Sequence, residues 1–373
     1  MGARLSGASS GPISWDLAER VATRLASRQP WVPPGRLSVL EEDFERFTAE
    51  AEELVSEETG FVPPCPARAR VTDRPGWARA NVASAQRLLQ PLAAKIEEAM
   101  SKPAAALGPF ALRPPPELSR NLSGLQLGLL LGWLSTRVLG QYDQLLIEEE
   151  APEDQDIVYY VGPNIVHLEE RHGFDPRQFR LWIALHEVTH RLQFTGVPWL
   201  RPYFLETVSR LVEGTNPDPR RLLQALKVAV EQARSGANPL DDGGLLALIA
   251  TPEQREALER IGGFMSLLEG HGDIMMARAG AGRVPDAPYF ARVLQERRKL
   301  SPAAKAISVA VGIDAKLKQY EQGERFILAV EAAGGRDLLS LVWRGPEWLP
   351  TMAEIREPAR WVERCAGTAA VRA

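Results

Sequence analysis

The chain of 373 residues has little of several features that would each indicate a particular class of protein. It has only two cysteines, Cys65 and Cys365, and they lie far apart. The sequence therefore predicts no disulfide framework and indicates a reducing compartment, the cytoplasm. The net charge of −4 leaves no basic excess. Composition thus gives no support to a nucleic-acid-binding role.

Long hydrophobic runs are also missing. The first 30 residues lack the continuous apolar core of a signal peptide. The most apolar stretch, Leu122–Leu134, is interrupted by Gln126 and is shorter than the roughly 18 apolar residues that a membrane span needs. It carries glycines at four-residue spacing, at Gly124, Gly128 and Gly132. We expect no membrane segment here, but a helix packed closely in a core.

The local signals are mostly helical, so the predicted fold class is mainly α with a small β component. Helices are predicted over about 15–27, 38–57, 76–100 and 120–147, the second from a capping box at Ser38–Glu41 with a solvated acidic face. The clearest strand is Ile157–Val161, which ends at Gly162-Pro163. Residues 1–13 are predicted to be disordered, and residues 14–373 to form a single domain.

Histidine is scarce as well, yet two of the five histidines form His186-Glu187-Val188-Thr189-His190. Positions i and i+4 lie on one face of a helix, so both imidazoles can bind one metal ion. Glu187 can act as the general base on a water bound to that ion. Asp175 as N-cap and Pro176 at the first helical position predict where this helix begins. Apolar residues around the motif indicate that one side of the helix is buried.

A catalytic zinc uses three protein ligands and keeps one position for water, and the segment Glu269–Asp273 can complete such a site. Glu269 and Asp273 share a helix face, so Glu269 can bind the metal while Asp273 accepts a hydrogen bond from a ligand imidazole. His271 points about 200° away from Glu269 and is the candidate donor to the developing oxyanion. The alternatives are His271 as third ligand, or an acidic helix end with no ligand. The two glycines of the segment weaken a helix, or they let another backbone pack closely.

The pairing of H-E-x-x-H with Glu-x-x-x-Asp resembles the gluzincin arrangement of zinc peptidases. More narrowly, the chain resembles an actinobacterial-type family of zinc-dependent metalloproteases or hydrolases. Part of that family is associated with biosynthesis of a deazaflavin coenzyme. The similarity covers roughly residues 70–365. It rests on these stretches: Val138–Asp143, Tyr160–Ile165, Leu185–Phe194, Val197–Arg201, Glu269–His271, Gln319–Phe326 and Trp343–Pro350.

This resemblance implies a zincin-like metallopeptidase core at about residues 155–280, surrounded by additional helices, with Zn²⁺ as cofactor. It implies a peptide or protein substrate, which would pair with Tyr160–Ile165 as an edge strand. Tyr160 and Arg201 are weaker candidates for the oxyanion donor. The competing hypothesis is a catalytically silent zincin-like scaffold, in which a metal holds helices together. The intact Glu187 favours the hydrolase, because a structural site does not need that base. Nothing in the sequence indicates the oligomeric state.

Overall fold

A computed structural model describes residues 11–101, 116–142, 156–213, 252–298 and 313–372. These residues form helices and one small three-stranded sheet, which confirms the predicted mainly α class. The packing divides the chain into two compact units, each built from two stretches: residues 1–42 with 69–173, and residues 43–68 with 174–373. The single domain over residues 14–373 and the disorder of residues 1–13 stay predictions. Among the described helices, none combines the length and the apolar character needed to cross a bilayer.

The first unit is organised around three packed helices and the sheet. Its elements are α1 (Trp15–Ala26), the start of α2 (Pro34–Thr59) up to Glu42, β1 (Arg68–Thr72), α3 (Arg74–Ser101), α4 (Pro116–Ser135), β2 (Gly140–Tyr142), β3 (Ile157–Val161) and α5 (Gly162–His172). Helix α1 packs on α3 and α4 through fully buried alanines such as Ala18 and Ala22. A Cβ added at Gly128 would lie only 2.7 Å from the Ala18 carbonyl oxygen. The glycine spacing thus permits the close helix packing that was predicted.

The sheet has the order β1-β3-β2, so β3 is its central strand. Strands β2 and β3 are antiparallel, with Gly140 opposite Tyr160 and Tyr142 opposite Val158. The prediction that Tyr160–Ile165 forms an edge strand is therefore wrong. Both edges of β3 are already paired, and the chain enters α5 at Gly162. The nearly continuous burial along β3 is typical of a strand in the middle of a sheet.

Two predicted helix boundaries also differ. Helix α2 begins at Pro34, and the Ser38 hydroxyl lies within it, donating back to the Pro34 carbonyl at 3.5 Å rather than capping. Proline suits the first helical position because its missing N–H would have no partner there. Helix α4 ends at Ser135, since the following residues Gly140–Tyr142 pair in the sheet. Residues 143–147 of the predicted helix lie outside the described residues.

The second unit is built around one long helix. Its elements are the rest of α2 from Asp43 onward, α6 (Pro176–Gly196), α7 (Leu200–Glu213), α8 (Pro252–Ala279), α9 (Ala287–Arg298), α10 (Ile313–Ser340), two short 3-10 turns (Leu341–Trp343 and Pro346–Trp348), α11 (Met352–Arg356) and α12 (Pro358–Arg372). Helix α8 packs against α6, α7, α10 and α11. Helix α10 is interrupted at Gly334-Gly335, where Gly335 has φ of 71°. The clustered histidines and carboxylates described below all belong to this unit.

Buried ion pairs join α6 to the acidic side of α2. Arg191 is fully buried, with its guanidinium 2.5 Å from Glu52 and 2.6 Å from the Cys65 carbonyl oxygen. Arg180 lies 2.5 Å from Asp43. The acidic face of α2 was predicted to be only solvated surface, and at Asp43 and Glu52 that prediction is wrong. These carboxylates face arginines of a helix that lies far away in the sequence, which a local pattern does not reveal.

Candidate metal centre

Helix α6 presents both histidines of the motif on one face. It begins as predicted, with Pro176 in its first turn and the Asp175 side chain accepting a hydrogen bond from the Gln178 backbone N–H at 2.8 Å. The imidazole rings of His186 and His190 lie 4.7 Å apart, centroid to centroid, and are nearly perpendicular. The opposite side of the helix is buried, which fixes the face that the histidines occupy.

Glu269 reaches the same point from α8. Its Oε2 lies 3.5 Å from His190 Nε2. One nitrogen from each of His186 and His190 and one Glu269 oxygen all lie within 4.8 Å of one another. In the described part of the chain, these form the one group of three or more His, Cys, Asp or Glu side chains close enough to hold a metal ion. The helix pair thus brings together the three residues that the sequence nominated as ligands.

Asp273 lies one helical turn after Glu269, on the same face of α8. Its Oδ1 is 3.9 Å from His186 Nδ1. That distance is longer than a hydrogen bond, yet it places a carboxylate beside the ring nitrogen of a candidate ligand. Helix α8 runs without interruption from Pro252 to Ala279. Glu269 and Asp273 therefore lie on the same face of a regular helix. An unwound segment would not have placed them together.

Two carboxylates set the electrostatics around His190. Burial alone would lower the pKa of His190, but the hydrogen bond to Glu269 and the charges of Glu269 and Glu187 outweigh it and raise the pKa to about 9. Glu187 is itself buried, with 9% of its surface exposed. The negative field that favours a proton on His190 also favours a cation, so a metal ion and a proton compete for this nitrogen.

His271 lies close to the site but outside the group of three ligand atoms. It is 3% exposed and packs against Phe61 and Trp343, with ring centroids 5.8 and 4.8 Å away. Burial, together with the charges of His190 and Arg278, lowers the pKa of His271 to about 3, so its ring is neutral. Its burial gives no support to contact with a substrate.

Gln193 is a site residue that the sequence did not single out. Its Oε1 is 3.0 Å from His190 Nδ1. Its Nε2 is 2.9 Å from the Leu268 carbonyl oxygen and 3.0 Å from His271 Nδ1. The available signal was its spacing, because Gln193 follows His190 by three residues and so shares its helix face.

The glycines of α8 are explained by close contacts on two sides of the helix. A Cβ added at Gly270 would meet the backbone of α10 at Gly323 and Glu324. A Cβ added at Gly272 would lie 3.0 Å from Cε1 of the His190 ring. The expectation that another backbone packs closely is confirmed at Gly270, whereas the neighbour of Gly272 is a side chain.

The weaker oxyanion candidates, Tyr160 and Arg201, and two further histidines lie on other elements of the fold. Tyr160 is fully buried in β3 of the first unit, and His167 and His172 lie on α5 of the same unit. Arg201 belongs to α7 in the second unit. None of them is among the three clustered ligands.

The donor set fits a zinc ion of the catalytic kind. Two imidazoles and one carboxylate are the ligands of a well-known class of catalytic zinc site, in which the fourth position is left for water. The His190 Nδ1 is occupied by the Gln193 amide, so its Nε2 faces Glu269 and is the nitrogen available to an ion. Neither Cys65 nor Cys365 belongs to the cluster, and the two do not form a disulfide bond.

Comparisons with known proteins agree with this geometry. A sequence profile described as zincin-like metallopeptidase matches residues 13–362. The crystal structure of a candidate hydrolase with a novel fold from Chloroflexus aurantiacus is similar, with 33% sequence identity and a TM-score of 0.67. The similarity covers 95% of this chain and 99% of that one. A search of curated proteins finds no match. Neither comparison mentions a deazaflavin coenzyme, so that part of the resemblance has no support. The chain belongs to the zincin-like metallopeptidase family, a family of metal-binding hydrolases.

Proposed function

We propose that the protein is a zinc-dependent hydrolase that cleaves peptide bonds. The observation that carries the proposal is the convergence of His186, His190 and Glu269 beside the buried Glu187. A closed structural site normally has four Cys or His ligands, whereas three ligands with an adjacent carboxylate are typical of hydrolytic sites. The family membership supports a hydrolase, and peptide hydrolysis is the finer step that we propose.

His186, His190 and Glu269 would hold the zinc ion. When bound, the ion would supply Lewis acidity toward a water molecule and the scissile carbonyl. Glu187 would accept a proton from the attacking water on its carboxylate and deliver it to the amine that leaves. Asp273 would orient the His186 ring from the side of Nδ1. We retain Glu269 rather than His271 as third ligand, because the Glu269 carboxylate is among the three clustered ligand atoms and the His271 ring is not.

We infer a peptide or protein as the substrate class, which the family relationship favours. We also infer a cytoplasmic location, supported by two cysteines that are not joined in a disulfide. Neither inference depends on the metal site, so each can fail without affecting it.

The first experiment is elemental analysis of the purified full-length protein. We expect one zinc per chain, and we expect His190→Ala and Glu269→Ala to lose most of it, because each change removes a ligand. His271→Ala should keep the metal. If His271→Ala loses zinc while Glu269→Ala retains it, His271 is the third ligand.

The second experiment tests catalysis with a peptide library and the variant Glu187→Gln. The amide has nearly the same shape as the carboxylate but does not act as a base. We therefore expect Glu187→Gln to keep zinc and to lose hydrolysis of any library peptide that the wild type cleaves. Equal turnover by the two proteins would contradict the role of Glu187. Full zinc occupancy with no cleavage of any library peptide would favour the scaffold hypothesis.

A further inference from the structure

We propose that Gln193 is a positioning residue of the metal site, whose side-chain amide holds the His190 imidazole in the tautomer and orientation that present Nε2 to the ion. The inference rests on the proposed function only in taking His190 as a metal ligand. It does not require that the protein cleaves peptides.

The hydrogen bonds of the Gln193 amide determine where its oxygen and its nitrogen point. The Leu268 carbonyl oxygen, 2.9 Å from Gln193 Nε2, can only accept a hydrogen bond, so the amide nitrogen must face it. The amide oxygen then faces His190 Nδ1 at 3.0 Å. That oxygen can only accept, so Nδ1 of His190 carries the proton. Nε2, which faces Glu269, is then the nitrogen that can give up its proton and offer a lone pair to a metal ion.

The amide itself is held firmly. Gln193 is fully buried, and its second N–H donates to His271 Nδ1 at 3.0 Å. The His271 ring in turn packs against Phe61 and Trp343. Rotating the amide would leave buried polar groups without hydrogen-bond partners, which is unfavourable. The network thus links His190 on α6 to Leu268 and His271 on α8.

The negative charge around His190 also explains why a neutral amide, and not a carboxylate, contacts its ring nitrogen. His190 already lies in the field of Glu269 and Glu187. A carboxylate at position 193 would add a third negative charge, which those two would repel. A neutral amide orients the ring without that cost. Gly272, whose added Cβ would press on the His190 ring, leaves the ring room to adopt this position.

The test compares Gln193→Met with Gln178→Met in the full-length protein. Methionine is close to glutamine in length but has no amide. Gln178 is a matched control on the same helix, where its Oε1 accepts a hydrogen bond from the Asp286 backbone N–H at 3.0 Å, away from the histidines. Zinc dissociation constants are measured by competition with a chelator. We expect Gln193→Met to weaken zinc binding about 10- to 100-fold. Gln178→Met should stay within about twofold of wild type.

A second readout follows the His190 Nδ1 proton itself. In zinc-loaded protein with ¹⁵N-labelled histidine, we expect a slowly exchanging ring N–H signal in the wild type and in Gln178→Met. The signal is assigned by its absence from His190→Ala. It should be lost, or exchange rapidly, in Gln193→Met. A residue that only fills space would change stability in denaturation but would leave both the zinc affinity and this proton unaltered, and that result overturns the proposal.

The outcomes also separate this proposal from the proposed function. If the wild type binds no zinc, or if His190→Ala binds it equally well, the metal site is wrong and the role of Gln193 falls with it. If zinc binds through His190 and Gln193→Met binds it as tightly as wild type, only the role of Gln193 is overturned. Should Gln193→Met not fold, His271→Phe removes one hydrogen-bond partner of the amide and keeps an aromatic ring against Phe61 and Trp343. A loss of zinc affinity of about twofold to tenfold in His271→Phe supports the proposal, because the amide keeps only part of its hydrogen bonding. Unchanged zinc affinity contradicts it.

Discussion

Alanine substitutions at Gly270 and Gly272 are expected to separate folding from metal binding, although the two glycines lie two residues apart in α8. At Gly270 the new Cβ meets backbone atoms of α10, including the Glu324 amide nitrogen at 2.5 Å. Backbone cannot rotate away as a side chain can. Overpacking of this kind costs typically about 1–3 kcal/mol, against about 1 kcal/mol gained in helix propensity. Because the contact is with backbone and is far closer than ordinary packing, we take the upper part of that range, about 2–3 kcal/mol. After the gain in helix propensity we expect a net loss of stability of about 1–2 kcal/mol.

At Gly272 the new Cβ meets the His190 ring, 3.0 Å from Cε1 and 3.5 Å from Nε2. Carbon atoms in ordinary contact are about 3.5–4.0 Å apart, so the ring must move by roughly half an ångström. Metal–ligand distances tolerate about 0.2 Å. We expect zinc affinity to fall about tenfold, or about 1.4 kcal/mol. The unfolding free energy of the metal-free protein should stay within about 1 kcal/mol of wild type, since helix propensity offsets the contact.

The assay measures both quantities on each variant. Denaturant unfolding in the presence of a chelator gives the stability of the metal-free protein, and chelator competition gives the zinc affinity. Gly35→Ala is the control, because Gly35 lies in the first turn of α2 with no atom within 4 Å of an added Cβ. If Gly272→Ala binds zinc as tightly as wild type, or if Gly270→Ala is equally stable, the assignment of one glycine to the site and the other to the fold is refuted.

Two further predictions concern carboxylates. Asp273→Ala should weaken zinc binding about 10- to 100-fold, because Asp273 lies beside His186 Nδ1, and unchanged affinity would remove it from the site. Burial alone would raise the pKa of Glu354, but the hydrogen bonds from Arg364 and Thr351 outweigh it and lower that pKa below 4.5. The Glu354 carboxylate therefore stabilises the fold above about pH 4.5, and this contribution is lost as the pH falls further. Denaturation from pH 7 to 3 should show wild type more stable than Glu354→Gln at pH 7 and the difference shrinking below about pH 4.5.

The parts of the site that were predictable from sequence are those set within one helix. The spacing of His186 and His190 is enough to place both rings on one face, and Asp175 with Pro176 is enough to place the start of the helix. The same geometry paired Glu269 with Asp273. These inferences needed only the 3.6-residue turn and the chemistry of the helix end, which are local properties of the chain.

The features that the sequence did not reveal depend on contacts between segments that lie far apart in the chain. The central position of β3, the end of α4 at Ser135 and the pairing of Arg191 with Glu52 all need a partner far along the chain. Gln193 belongs to the same class. The sequence is enough to place Gln193 on the same helix face as His190. The orientation of its amide, however, depends on the Leu268 carbonyl oxygen of another helix. A glutamine on a buried helix face could not be told from ordinary core by its neighbours in sequence.

The way in which α6 and α8 are held together bears on the choice between a catalytic and a structural metal. A structural zinc supplies folding energy where the protein core is too small to do so alone. Here α8 is packed against four other helices, and its approach to α10 uses glycine on both sides, at Gly270 and Gly323. The Gln193 amide joins α6 to α8 without help from an ion. Contacts that involve no metal ion therefore contribute to holding the two helices together. Three ligands with a buried carboxylate beside them favour the proposed reaction over a structural clamp, which normally has four Cys or His ligands.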